Sequence, residues 1–169
     1  QVEERKRLIA EIHAFLVKAA IMAVTLWVIL GVVFGVMPMK DQSMMPKLAA
    51  GDLLLYYRLD HTPGDREVVV FEKEGKTCVG RVVARGGDTV EIREDALLQI
   101  NGNAIVENEI YYSTEPYEEG IKYPVTLTDE EVFILCDYRQ GAKDSRYFGP
   151  VTKKELKGTV ITAIRRSGI

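Results

Sequence analysis

A mainly β domain set behind one N-terminal membrane-spanning helix is the fold class this sequence predicts, on two observations. Ala19 to Met39 is an uninterrupted uncharged stretch bounded by Lys18 and Lys40, and about 20 apolar residues match a hydrocarbon core of ~30 Å. After Pro38, short runs rich in Val, Ile, Leu and Tyr alternate with turn-forming residues, the spacing of an all-β fold. Three segments follow: a cytoplasmic juxtamembrane helix over 1–18, a transmembrane anchor over 19–39 and a β domain over 40–169.

The N-terminal segment Leu8 to Val17 carries no Gly or Pro, so its helix is expected to continue into the span. A cleaved secretory signal has an apolar region of about 7 to 15 residues ending in small residues. Here the run is longer and ends in Gly35-Val36-Met37-Pro38, which predicts an uncleaved anchor. Arg5, Lys6, Arg7 and Lys18 precede it, and this basic flank places the N-terminus in the cytoplasm and everything after Lys40 outside. The chain opens at Gln1, so an initiator and a few residues are expected to precede it.

Beyond the span, strands are predicted at 52–58, 66–72, 77–85, 89–93, 97–100, 132–136 and 159–164. Thr62-Pro63-Gly64-Asp65, Gly86-Gly87-Asp88 and Asn101-Gly102-Asn103 separate them. Leu98-Gln99-Ile100 running into Asn101-Gly102 reads as a hairpin. Glu107 to Thr128 is more polar, with Pro116, Gly120 and Pro124, and is expected to be a loop or small cap.

The 169 residues suffice for one domain beyond an anchor. A net charge of −3, with no basic run interleaved with aromatics, argues against nucleic acid. His13 and His61 lie in no metal-binding spacing, so neither metal nor cofactor is expected. Spacing leaves Cys78 and Cys136 open as a bridge or as two buried thiols. Lys153, Lys154 and Lys157 read as an ordinary solvated edge.

Four motifs come in a fixed order: Ser43-Met44-Met45-Pro46-Lys47-Leu48, Gly51-Asp52, Arg81-Val82-Val83-Ala84-Arg85-Gly86-Gly87-Asp88, and Asp137-Tyr138-Arg139 with Asp144-Ser145-Arg146. Taken together the chain resembles the bacterial type I signal peptidases over nearly its whole length. The resemblance implies an extracytoplasmic β domain in which Ser43 holds the position of a nucleophilic serine. The general base is a neutral lysine, whose pKa burial must lower before it can take a proton.

This sequence departs from the pattern at the base. The lysine of the family immediately precedes the Arg-Val run, and here that position is Gly80. The serine that orients the lysine is replaced by Ala142. Ala84 and Gly86 stand where the family has Gly and Pro, and Cys136-Asp137-Tyr138-Arg139 where it has Gly-Asp-Asn-Arg. Lys76, four positions before Gly80 and on the same strand face, is roughly 13 Å away at ~3.3 Å per residue, outside proton-transfer reach. Arg81 stays charged and cannot serve as a base. In some family members a hydroxyl at position 41 helps stabilise the oxyanion, where the carboxylate of Asp41 would instead repel negative charge. Asp137, Arg139, Asp144 and Arg146 are expected to be charge-paired scaffolding.

In the family an extended substrate lies between the strand leading to the serine and the one leading to the base, here about 38–42 and 77–81. Asp41, Gln42, Cys78 and Val79 are the substrate-binding positions this implies. The leading expectation is a non-catalytic signal-peptidase-like membrane protein that binds translocated partners, similar to accessory proteins of pilus assembly that hold pilin subunits. The alternative is an active signal peptidase I, a serine endopeptidase cleaving signal peptides from preproteins. A self-cleaving Ser/Lys repressor would need a DNA-binding region where this chain has its span.

Overall fold

The computed structural model describes residues 2–165. Helix α1 spans Val2–Val28 and continues as one π-helical turn, Ile29–Val33. It is long and apolar enough to cross a membrane. The apolar run does not stay helical to Met39, however: Phe34 is extended, and strand β1 occupies Phe34–Pro38. Val28, Ile29, Val32 and Val33 are β-branched and Gly31 is a poor helix former, so local preference turns against the helix within the run. Apolarity marks the span but not where its helix ends.

The chain divides into two compact units with the boundary between Gly35 and Val36. The second unit is built on strands β2 (Leu53–Tyr57), β3 (Val68–Lys73), β4 (Lys76–Arg85), β5 (Thr89–Ile92), β6 (Leu98–Ile100), β7 (Asn103–Ala104), β8 (Val125–Thr126), β9 (Glu131–Leu135), β10 (Val151–Thr152) and β11 (Leu156–Ile164). One short helix, α2, covers Ser145–Phe148. The seven predicted strands are all present. The two-residue strands β7, β8 and β10 are too short for a hydrophobic pattern to reveal.

The larger sheet has the order β1-β2-β11-β3-β4-β9-β10 and the smaller the order β7-β6-β5-β8. Side chains alternate across the larger sheet. Val69 and Phe71 join a core cluster with Val82 and Ile134, while Val70 joins Met39, Met44, Val79, Cys136 and Ala142 on the other side. Phe133 and Leu135 turn to a third cluster, shared with Val90 and Leu98 of the smaller sheet. The expected hairpin forms: Ile100 pairs with Asn103 across Asn101 and Gly102, both at positive φ, 53° and 78°, as a two-residue turn of this hand requires.

Gly86 explains one departure from the family pattern. A Cβ there would lie 2.6 Å from the Asp129 Cα, which leaves no room for a proline ring.

Pairing of β4 is lopsided, and this positions the site. Its first six residues, Lys76 to Arg81, pair with β3 in unbroken register. On the other edge, β9 begins pairing only at Arg81. Among the described residues no strand covers that edge from Lys76 to Gly80.

Candidate functional site

Ser43 lies in a tight loop between β1 and β2. Its N–H donates to the Asp41 Oδ1 at 3.0 Å, and its carbonyl accepts the Tyr138 N–H at 2.9 Å. Met44 anchors the loop: it is fully buried, in the cluster that contains Val79, Cys136 and Ala142. Gly51-Asp52 closes the loop from behind. Met39 N–H donates to the Asp52 carbonyl at 2.7 Å, Gly51 N–H to the Met39 carbonyl at 2.8 Å, and the Asp52 carboxylate accepts the Ala49 N–H at 2.9 Å.

A cleft of about 410 Å³ opens in front of the serine. Asp41, Gln42 and Ser43 form one wall, and Lys76, Cys78 and Val79 of β4 form another. Cys136, Tyr138, Ala142 and Lys143, from the chain after β9, complete it. All four expected substrate-binding residues and two of the three catalytic positions, Ser43 and Ala142, therefore meet in one place.

Gly80 does not join them. A Cβ built on Gly80 would point into the core, 2.4 Å from Ile134 Cγ2 and 3.5 Å from Phe71 Cε1. The methyl of Ile134 stands where a side chain at position 80 would begin. Lys76 and Cys78, four and two residues away with the same strand parity, nevertheless reach the cleft. The cleft runs along an uncovered strand edge, so side chains from both faces of β4 border it, and parity alone does not sort them.

The Ser43 side chain is hydrogen-bonded to the Cys136 thiol. Burial pushes that thiol well above its ordinary pKa, the nearby Asp144 carboxylate adds to the rise, and the hydrogen bond with Ser43 offsets it only in part. A thiol held protonated offers no useful base. Among the described residues no lysine amine hydrogen-bonds to Ser43. Cys78 and Cys136 are both free thiols.

Beneath the cleft lies a layer of buried ion pairs. Arg81 grips Asp137 through two hydrogen bonds of 2.8 and 2.6 Å. Arg146 makes two of 2.9 Å to Asp144, with both side chains fully buried. Asp144 also accepts the Cys136 N–H at 3.0 Å. Arg139 reaches Glu107 and Thr114, each at 2.7 Å, which ties the 107–128 loop to the site. Tyr117 of that loop donates its hydroxyl to the Ala142 carbonyl at 2.6 Å, and its ring faces the Arg146 guanidinium at 4.4 Å.

A family model described as signal peptidase, peptidase S26, matches residues 10–164. The chain belongs to the signal peptidase family. Signal peptidase I of Bacillus licheniformis is 30% identical over 156 residues, 85% of this chain and 83% of that protein. The signal peptidase I of Bacillus amyloliquefaciens is 30% identical over 155 residues, 84% of this chain and 82% of its own length. A solved signal peptidase I from Enterococcus faecalis superposes with a TM-score of 0.48 at 26% identity, covering 60% of this chain and 97% of that one.

Sequence reasoning did not find the contact between Ser43 and Cys136, nor Tyr138 and Lys143 in the cleft wall. The signal was present in part, because Cys136 and Tyr138 stand where the signal peptidase pattern has Gly and Asn. That these substitutions touch the serine is a property of the folded loop.

Proposed function

We propose that this chain is a membrane-anchored, non-catalytic member of the signal peptidase family that holds translocated proteins in the cleft beside Ser43, pilin subunits among them. One observation carries the reading: the Ser43 side chain is hydrogen-bonded to the buried Cys136 thiol, whose pKa burial raises, and among the described residues no lysine amine hydrogen-bonds to Ser43. A serine hydroxyl is a weak nucleophile until a base takes its proton, and such assistance contributes ~10²- to 10⁴-fold in rate. Ile134 packed against Gly80 and the Asp41 carboxylate on the Ser43 N–H both oppose the reaction further.

Binding remains open to the cleft. The uncovered edge of β4 presents the Val79 carbonyl, whose neighbour there is the Cys136 thiol at 3.7 Å. A partner segment entering as an added strand would meet unpaired backbone groups there. The basic flank of α1 supports a cytoplasmic N-terminus with the β domain outside the membrane. A reporter placed after Ile169 is then external, and one before Gln1 internal.

The second reading, a working endopeptidase, draws on Lys76 and Lys143, which line the same cleft as Ser43. The parent and Ser43→Ala, compared for signal-peptide cleavage by purified protein and for cellular phenotype, separate the two. Equal behaviour is expected. If the alanine variant alone loses cleavage or phenotype, Ser43 is a nucleophile and the non-catalytic reading is wrong.

A further inference from the structure

The charges around the cleft are unevenly committed. Lys47, Lys73, Lys153 and Lys157 each pair with a glutamate. Among the described residues neither Lys76 nor Lys143 has a carboxylate partner, and both border the cleft. The Lys143 ammonium lies 4.1 Å from the centre of the Tyr147 ring, a cation–π contact that holds the side chain in place. On the facing wall the Asp41 carboxylate already accepts the Ser43 N–H.

Between these charges lie the small side chains of Val79, Cys136 and Ala142. Tyr138 closes one side, its ring fixed edge-on against Tyr112 with centroids 4.8 Å apart. Such a cleft accepts an extended chain with a small side chain over Val79, Cys136 and Ala142 and a longer one reaching the rim. The rim offers two ammonium groups.

We infer that the segment held in this cleft is an extended peptide carrying an acidic side chain, Asp or Glu, opposite Lys76 and Lys143. The inference rests on the reading above that the cleft holds a peptide strand, and it adds the chemistry by which that strand is chosen. Backbone pairing along β4 is indifferent to sequence, whereas two lysines on the rim discriminate by charge. Glu74, in the turn before β4, and Lys40 are the other charges that act on Cys78 at this rim. They oppose each other; Asp41 on the facing wall also acts on Cys78, so the acidic side chain is placed on the Lys76 and Lys143 side of the cleft, away from that carboxylate.

The test uses the full chain in detergent and short fluorescent peptides that differ only at one position, with Asp, Glu, Asn, Gln or Lys. Fluorescence anisotropy reads affinity. Acidic peptides are expected to bind about fivefold tighter than their amide counterparts at low salt for each lysine engaged, with the advantage shrinking as salt rises. Lys76→Gln and Lys143→Gln should each remove part of that advantage, Lys76→Glu should shift the preference toward the Lys peptide, and Glu74→Gln should strengthen acidic binding. If acidic and amide peptides bind equally while Val79→Pro abolishes both, the charge selection is wrong and the peptide-holding cleft stands. If no peptide of any charge binds, both fail together.

Discussion

The carboxylate of Asp41 accepts the backbone N–H of Ser43 at 3.0 Å. A nucleophile's own N–H is well placed to stabilise the oxyanion of acyl transfer, and here it already faces a negative charge. The same hydrogen bond is a short-range turn of the kind Asp and Asn both make. Asp41→Asn should therefore leave stability within a few tenths of a kcal/mol, while Asp41→Ala should cost about 1 kcal/mol, as loss of a comparable side-chain cap does. Chemical denaturation of the two variants beside the parent checks this. Equal losses would show that the contact does not hold the loop.

Gly80→Lys should destabilise the fold by about 1–3 kcal/mol, the cost of forcing extra atoms into a packed core. The cause is Ile134 Cγ2, 2.4 Å from the new Cβ. Ile134→Ala alone also costs stability, about 2–5 kcal/mol, but the double variant should lose less than the two single losses added. Restoring a family-type lysine thus takes a smaller residue at 134 as well as Ala142→Ser. A double-mutant cycle by urea unfolding measures the coupling, and strict additivity would contradict the packing described.

Arg146→Ala should cost about 3–5 kcal/mol, since it leaves Asp144 buried without its partner. Replacing both residues by apolar side chains of similar volume should cost less than either single loss. Thermal melts of the three variants decide it.

Glu155 gives a pH dependence. Burial pushes its carboxyl up, but hydrogen bonds from the Thr152 N–H and the Lys73 amine outweigh that and hold its pKa below the ordinary glutamate value. A group with a lowered folded-state pKa adds stability that is fully present above its unfolded value, about 4.3, and is lost as pH falls through the folded one. The gap in melting temperature between parent and Glu155→Gln should be full at neutral pH and close in acid. A gap that widens in acid would reverse the sign and refute the assignment.

Much of this fold was legible in the residues. Strands β2 to β6, β9 and β11 each carry a run of Val, Ile, Leu or Tyr long enough to show, and Asn101-Gly102 names its own turn. Strand β1 was hidden because Phe34–Pro38 continues the apolar run of α1, and burial in lipid and burial in a sheet select the same residue types. At the site, motif order located the serine loop, and the four positions implied by the family resemblance line the same cleft. The direction of Gly80 did not follow from motif order, because it depends on how Ile134 packs from another strand. The reach of Lys143 was missed for the same reason: it is set by Tyr147 on the short helix α2.

Arg81, Asp137, Asp144 and Arg146 spend their hydrogen bonds on one another and on the backbone beneath the cleft. Selection on folding alone is enough to keep such residues in place, whatever becomes of the reaction above them. A pattern search keyed to these charges therefore registers a frame. Positions 80, 134, 136 and 142 lie outside that ion-paired frame, so they are the places to compare between this chain and signal peptidases of known activity.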